Sequence, residues 1–251
     1  MPRISKDILL VIILLLLING LLLARAWLDK AGKKGSLPQP AADLLLDKGA
    51  GEVLIYDIKY GRINLGKARY ENKGSLDGVA APLNVMLFET KLANFTDTEE
   101  IYSDPQTYLP VKIKRRILKW FITEEITEDY DQLNHSLTIT KKTGKKEEKL
   151  IIQKKAPIHN AILLPFFIRR LPKLEPGWVF QVNLPQREYL IRLLGVEDIN
   201  VGAGEFKAYH FISEPKQFNI WITTDERRIP VKIEGSGIFG YSLSLREYKE
   251  K

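Results

Sequence analysis

The feature that most constrains this chain is an alternation of apolar and polar residues with a period of two, which runs from Glu52 almost to the C-terminus. Alternating runs such as Val111 to Ile117 are separated by turn-forming residues at short intervals. A period of two places successive side chains on opposite faces of a half-buried β-strand. Because the connections are short, neighbouring strands should pair as antiparallel hairpins. We therefore expect a mainly all-β single domain over residues 51–251, built as a curved antiparallel meander sheet or half-barrel.

One segment breaks this alternation. The run from Pro157 to Arg170 is almost wholly apolar, and a proline at its first position favours the start of a helix. Pro165 should kink this helix or divide it into two turns. An apolar helix needs a large apolar partner surface, and the inner face of the sheet is the candidate. We expect the short helix to cover or plug that face.

The N-terminus carries a second apolar segment, from Ile8 to Ala24, which at 17 residues is near the lower limit for spanning a bilayer. Its basic start and apolar middle are typical of a secretory signal. More basic residues follow the segment than precede it, which favours the opposite orientation, but that rule is weaker before a long domain. Residues 1–26 are thus predicted to be a retained membrane anchor or a signal cleaved after Ala26. Residues 27–50 are predicted to be a linker, and the domain to lie on the periplasmic side of a bacterial cell envelope.

Composition excludes several kinds of chemistry. The chain has no cysteine, so disulfides, thiolate metal sites and cysteine nucleophiles are excluded. Its net charge of +7 is scattered, and we expect no nucleic-acid partner. The three histidines, His135, His159 and His210, are not spaced as local metal ligands, and no Gly-x-Ser-x-Gly motif occurs. We therefore predict no catalytic residue, no cofactor and no metal.

Two further patterns receive structural interpretations. Residues 235–240 match a dinucleotide-binding fingerprint, but the residues after them alternate like a strand, so a hairpin turn is expected there. The densest acidic group comprises Glu124, Glu125, Glu128, Asp129 and Asp131. We expect an exposed acidic strand that matches the basic strand from Lys112 to Arg116, rather than the carboxylate pair of a glycosidase.

Aromatic residues suggest the leading hypothesis for function. A sheet curved enough to leave space beneath the helix would use some of them to line an apolar pocket. The candidate lining residues are Trp120, Ile162, Phe166, Phe167, Trp178, Phe180, Phe218 and Trp221. The sequence thus predicts a non-catalytic envelope protein that binds a lipid-like or apolar ligand, or an exported polypeptide. The alternatives are a membrane-tethered interaction or scaffold module with a packed core and, third, a hydrolase without a recognisable motif.

A family resemblance accompanies these features. It is carried, in order, by residues 52–56, 66–68, 104–111, 130–132, 157–170, 203–209 and 221–233. Together they resemble an exported bacterial family known as domain of unknown function 3108, which implies an envelope location and a β-rich fold and brings no catalytic residues.

An internal repeat supports a looser resemblance. Ser103-Asp104 leads to a Leu-Pro-Val-Lys-Ile strand, as Thr224-Asp225 leads to an Ile-Pro-Val-Lys-Ile strand. This hairpin resembles those of periplasmic lipoprotein carriers, whose curved half-barrel sheet holds acyl chains against a helical lid. It is an analogy at the level of the fold.

Overall fold

A computed structural model describes residues 50–76, 82–171, 173–235 and 240–250, which form fourteen strands and one short helix. The strands are β1 (Val53–Tyr60), β2 (Ile63–Leu76), β3 (Leu83–Leu92), β4 (Phe95–Ser103), β5 (Pro110–Lys119), β6 (Ile122–Asp131), β7 (Ser136–Thr143), β8 (Lys146–Gln153), β9 (Val179–Asn183), β10 (Glu188–Val201), β11 (Gly204–Glu214), β12 (Phe218–Thr223), β13 (Pro230–Gly235) and β14 (Tyr241–Lys249). Helix α1 (Leu164–Ile168) lies between β8 and β9. The predicted signal or anchor and residues 27–49 of the predicted linker fall outside the described residues.

All fourteen strands belong to one antiparallel sheet. Each strand pairs with its neighbours in the chain along two runs, β1 to β8 and β9 to β14, and β1 pairs with β14 in the middle. The sheet is not closed, because β8 and β9 remain as its two edge strands. The prediction of an all-β antiparallel meander is therefore confirmed.

Antiparallel pairing places the turns alternately at two ends of the sheet. The upper end, as we call it, carries the turns after the odd-numbered strands, including residues 61–62, 93–94, 120–121, 144–145, 184–187 and 215–217. The lower end carries the turns after the even-numbered strands, including residues 104–109, 132–135, 202–203 and 224–229. The two ends therefore present different loops to the surroundings.

The sheet is curled around its own core. Buried apolar side chains from β1 to β7 form one cluster with Ile158, Leu163 and Phe166. Seven adjacent strands extend over about 29 Å if the sheet is flat, whereas a helix of five residues is only about 7.5 Å long. Side chains of β1 to β6, β13 and β14 also line one small space beside this segment, which requires a curled sheet. We call the inner face the concave face.

Helix α1 is shorter than the sequence suggested. The expected helix from Pro157 to Arg170 is helical only at Leu164–Ile168. Pro165 lies in its first turn, where the missing N–H costs no hydrogen bond, so the proline starts the helix instead of kinking it. All five helical residues are buried, and the Phe166 ring stacks on Tyr70 with centroids 3.8 Å apart.

Two arginines after the helix hold it to the lower end. Arg169 donates from Nη1 to both Glu52 carboxylate oxygens, at 2.9 and 2.7 Å, and from Nη2 to the Arg227 carbonyl at 2.7 Å. Arg170 donates to the Pro105 carbonyl at 2.8 Å. Pro105 and Arg227 lie in the two turns of the internal repeat. The repeated hairpins therefore bind the residues after the helix from both halves of the sheet.

Candidate functional site

A cavity of about 270 Å³ lies between the concave face and the segment around helix α1. Asn160 to Phe166 bound it toward the lower end. Its upper part is bordered by Leu184 to Gln186 of the β9–β10 turn and by the upper parts of β3 and β14. The lining therefore extends from the segment around helix α1 to the upper end of the sheet.

The cavity has two chemically different walls. The apolar wall includes Tyr70, Phe88, Leu92, Phe166, Ile233 and Leu243. The polar wall is formed by Asp97, Glu99, Arg115, Glu128 and Tyr130. A space with this division suits a molecule that has both an apolar and a polar part.

Strand register explains why these side chains share one face. Phe88 pairs with Glu99 across β3 and β4, and Glu99 pairs with Arg115 across β4 and β5. Directly opposite residues of antiparallel strands project to the same side of a sheet. Asp97 lies two residues from Glu99, so it projects to that side as well.

Arg115 is the only cation of the polar wall. Its Nε lies 2.9 Å from Asp97 Oδ1 and 3.4 Å from Glu99 Oε1, and its Nη2 also donates to Asp97. Glu128 accepts a hydrogen bond of 2.6 Å from the Tyr130 hydroxyl. The Arg115 side chain is only 13% exposed, so this group of three carboxylates and one guanidinium is largely shielded from water.

Burial raises the pKa of two of these carboxyl groups. It raises the pKa of Glu99 to about 8, and the charges of Asp97 and Glu128 act in the same direction while Arg115 opposes them. Burial also raises the pKa of Glu128, against the Tyr130 hydrogen bond and Arg115. Glu99 therefore carries a proton near neutral pH and can donate a hydrogen bond into the cavity.

The sequence-predicted pocket residues occupy several places. Ile162 and Phe166 line the cavity. Phe167 and Phe180 belong to a second apolar cluster, with ring centroids 6.0 Å apart. Trp178 packs on Phe180 at a centroid distance of 4.8 Å. These three aromatic residues fill the core beside the cavity.

The other three predicted pocket residues lie farther from it. Phe218 packs on Tyr189 with a centroid distance of 5.4 Å. Trp221 stacks on His210 at 4.4 Å. Trp120 is 51% exposed, because it lies in the β5–β6 turn and not within a strand.

The hydrophobic pattern of the sequence did not predict the polar wall. Glu128 was expected on an exposed acidic strand, and this expectation is wrong because its side chain faces the cavity. The predicted charge match between β5 and β6 does exist on the outer face, where Lys112 lies 2.8 Å from Asp129. The sequence does contain one signal for the polar wall. Arg115 occupies a position that the alternation with Ile113 and Ile117 assigns to the inward face.

Other candidate motifs have structural roles. The fingerprint match at residues 235–240 leads from β13 into strand β14, where a dinucleotide site would need a helix. Burial lowers the pKa of His159 to about 4, and its Nδ1 accepts a hydrogen bond from the Asn183 N–H. Within the described ranges, no group of three or more histidine or acidic side chains is arranged to hold a metal ion. In the same ranges, no helix has the length and hydrophobicity needed to cross a bilayer.

Three solved structures are similar to this chain at low identity. A β-barrel-like protein of domain of unknown function DUF1849 from Brucella abortus has a TM-score of 0.47 and 9% identity, over 79% of this chain and 96% of that one. A protein from Bacteroides fragilis, described as exported with a YmcC-like fold, has a TM-score of 0.27 and 9% identity, over 80% and 96%. A protein from Parabacteroides distasonis, described as a lipoprotein, has a TM-score of 0.27 and 10% identity, over 82% and 98%.

A family model also matches this chain. No curated protein matches the sequence. The model described as protein of unknown function (DUF3108) matches residues 55–245, which extend from β1 into β14 and include the strands and the segment that line the cavity. The chain therefore belongs to the DUF3108 family.

Proposed function

We propose that this protein binds a lipid-like ligand in the concave cavity, as a non-catalytic protein of the bacterial cell envelope. The observation that carries the proposal is the division of one cavity into an apolar wall and a buried polar wall. An apolar chain would lie against the first wall and a polar head group against the second.

The apolar wall favours a single narrow chain. Ligand pockets usually have volumes of roughly 300–1,000 Å³, and this cavity, at about 270 Å³, is just below that range. Phe166 and Phe88 would remove hydrocarbon from water, which contributes about 25 cal/mol per Å² of apolar surface buried. The volume therefore suits one acyl or alkyl chain better than a lipid with several chains.

The polar wall favours a neutral or cationic head group. Arg115 is already paired with Asp97 and Glu99, so an anionic head would meet carboxylates before it met a free cation. A hydroxyl, amide or ammonium group can instead donate to Asp97 or Glu128. A protonated Glu99 can donate to an oxygen of the same head group.

The proposed location rests on the apolar segment from Ile8 to Ala24. As a retained anchor it would make the membrane a partner of the protein, and as a signal cleaved after Ala26 it would release the domain. Either form would place the cavity on the periplasmic side, where lipids or other envelope proteins are available partners.

Native mass spectrometry of the full chain released from detergent tests the proposal, with dodecan-1-amine, dodecan-1-ol and dodecanoic acid as probes. Ile162→Trp fills the cavity, and Ile151→Trp on the exposed face of edge strand β8 is the matched control. We expect one amine or alcohol adduct in the wild type and the control, and about tenfold weaker binding to Ile162→Trp. Absence of adducts, or equal adducts in both variants, would contradict the proposal and favour an interaction module with a packed core.

A further inference from the structure

The β5–β6 turn at the upper end exposes an unusual group of large apolar side chains. Phe121 is 99% exposed, Trp120 51% and Ile122 56%. Single exposed apolar residues are common on protein surfaces, but three consecutive large ones at a protruding tip mark an interaction site. Because Phe121 packs against almost nothing in its own chain, folding does not account for it.

The backbone conformation of the β5–β6 turn makes an aromatic residue there unexpected. The turns after β1 and β7 have Gly61 and Gly144 in the left-handed region, at φ of +57° and +59°. Trp120 occupies the same position of its turn at φ +55°. Glycine adopts this conformation without a steric penalty, whereas a residue with a Cβ does not. Trp120 thus occupies a position at which the turn geometry favours glycine.

The charge of the upper end is also one-sided. The charged residues of its described turns are Arg62, Lys145, Arg187 and Lys216, and these turns contain no acidic residue. The described hairpin turns of the lower end contain Asp104, Asp225 and Glu226 as well as two arginines, whereas the longer β8–β9 connection is mainly basic. Among the hairpin turns, those of the upper end therefore attract an anionic surface more strongly than those of the lower end.

We propose that the upper end is a membrane-docking surface, in which Trp120 and Phe121 enter the interface of an anionic lipid bilayer while the surrounding basic turns contact lipid phosphates. Aromatic rings favour the head-group level of bilayers, and nearby lysine and arginine residues add attraction to anionic lipids. A tip of two turn residues presents far less surface than the roughly 800 Å² per partner of a stable protein interface. The shape therefore favours a bilayer as the occupant.

This surface would be separate from the predicted N-terminal segment. It lies at the end of the sheet opposite to the point where Val53 begins strand β1. The docking inference does not depend on ligand binding. If the cavity does bind a lipid-like ligand as proposed above, docking would bring the upper part of its lining, at Leu184 to Gln186, close to the bilayer.

A single-label experiment tests the docking surface in the full chain. The chain has no cysteine, so Phe121→Cys and Leu133→Cys each create one site for an environment-sensitive nitrobenzoxadiazole label. Leu133 is 93% exposed in a lower-end turn and serves as the matched control. With phosphatidylglycerol vesicles, we expect the label at position 121 to shift its emission to shorter wavelength and to be quenched by nitroxide lipids. The label at position 133 should remain in water, even if the N-terminal segment tethers both variants equally.

Charge reversal provides the second measurement. Arg62→Glu with Lys145→Glu should weaken insertion of the label at position 121 about tenfold or more. Insertion at 133, or at neither position, would overturn the proposal. A shift at 121 without vesicles would also overturn it and would indicate contact with another copy of the chain. These outcomes are independent of whether the mass spectra show lipid adducts.

Discussion

The two halves of the sheet, on either side of the β1–β14 pair, use the same strand pattern for different purposes. In the β9–β13 half, inward side chains such as Ile191, Phe211 and Ile222 are fully buried in an apolar cluster. In the β2–β6 half, Asp97 and Arg115 occupy inward positions. Ionised groups cannot be packed among apolar side chains without compensating partners. The β9–β13 half, which we call the solid half, is consequently packed mainly with apolar side chains, and only its margin at Leu184 to Gln186 and Ile233 borders the cavity. The β2–β6 half, which we call the hollow half, supplies the polar wall of the cavity.

This difference suggests that one half of the sheet contributes mainly to stability and the other to ligand contact. The solid half gains its stability from contacts that leave no room for a ligand. In the hollow half, charged side chains replace part of that apolar packing and form a polar wall that a ligand can contact. Substitutions in the two halves should therefore have distinguishable effects on stability.

The largest effect is expected from Phe211→Ala in the solid half. Phe211 is fully buried, so the substitution should leave a cavity and lower the free energy of unfolding by about 3–5 kcal/mol. Phe88→Ala is the matched control in the hollow half, where the side chain is half-buried beside an existing space. It should cost only about 1–2 kcal/mol. Denaturant unfolding measures both values, and equal losses would remove the distinction between the halves.

A somewhat smaller effect is expected from Arg115→Met. This variant keeps the apolar stem but leaves three carboxylates without their cation, and the loss should be about 3 kcal/mol at pH 8. The loss should shrink toward pH 5, because Arg115 opposes the raised pKa values of Glu99 and Glu128, and its removal lets these carboxyl groups bind protons more readily as the pH falls. Unfolding curves at both pH values would show this change.

Lys112→Met is the control on the same strand. Lys112 points outward and its ion pair with Asp129 is exposed, so its removal should change the free energy of unfolding by no more than about 0.5 kcal/mol. If the two variants were equally destabilised, the buried polar wall would have no special role in stability.

The contrast between the halves also shows what sequence patterning can reveal. Alternation correctly predicted a strand over Val111 to Ile117, which lies within β5, because Ile113 and Ile117 occupy buried positions of a period of two. The same reasoning made Trp120 a pocket residue, because an aromatic residue at a left-handed turn position violates the usual turn preferences and was not expected in a turn.

The polar wall was hidden for a related reason. A strand with an inward charge, such as Arg115, resembles an imperfect alternation when it is seen alone. Only the register between strands shows that Glu99 and Arg115 meet on one face. Such cross-strand contacts depend on which strands pair and in which register. A short stretch of sequence does not specify that register.

The last expected effect is a pH dependence that arises from Glu99. Burial raises its pKa from the ordinary value of 4.5 to about 8, so between these values the folded state holds a proton that the unfolded state has lost. The stabilisation is fully present below pH 4.5 and is lost as pH rises toward 8, by at most about 1.4 kcal/mol per pH unit. Glu99→Gln cannot titrate and should lack this decline.

The quantity to measure is the difference in unfolding free energy between wild type and Glu99→Gln from pH 5 to 8, since subtraction cancels groups that both proteins share. Glu125→Gln, on the exposed outer face of β6, should follow the wild type. The carboxylates of Asp97 and Glu128 and the guanidinium of Arg115 face Glu99, so their coupling can spread the decline over a wider range. A difference that stays constant over this range would mean that Glu99 is ionised in the folded protein. In that case the hollow half would hold a fully charged wall, and a cationic head group would be favoured over a neutral one.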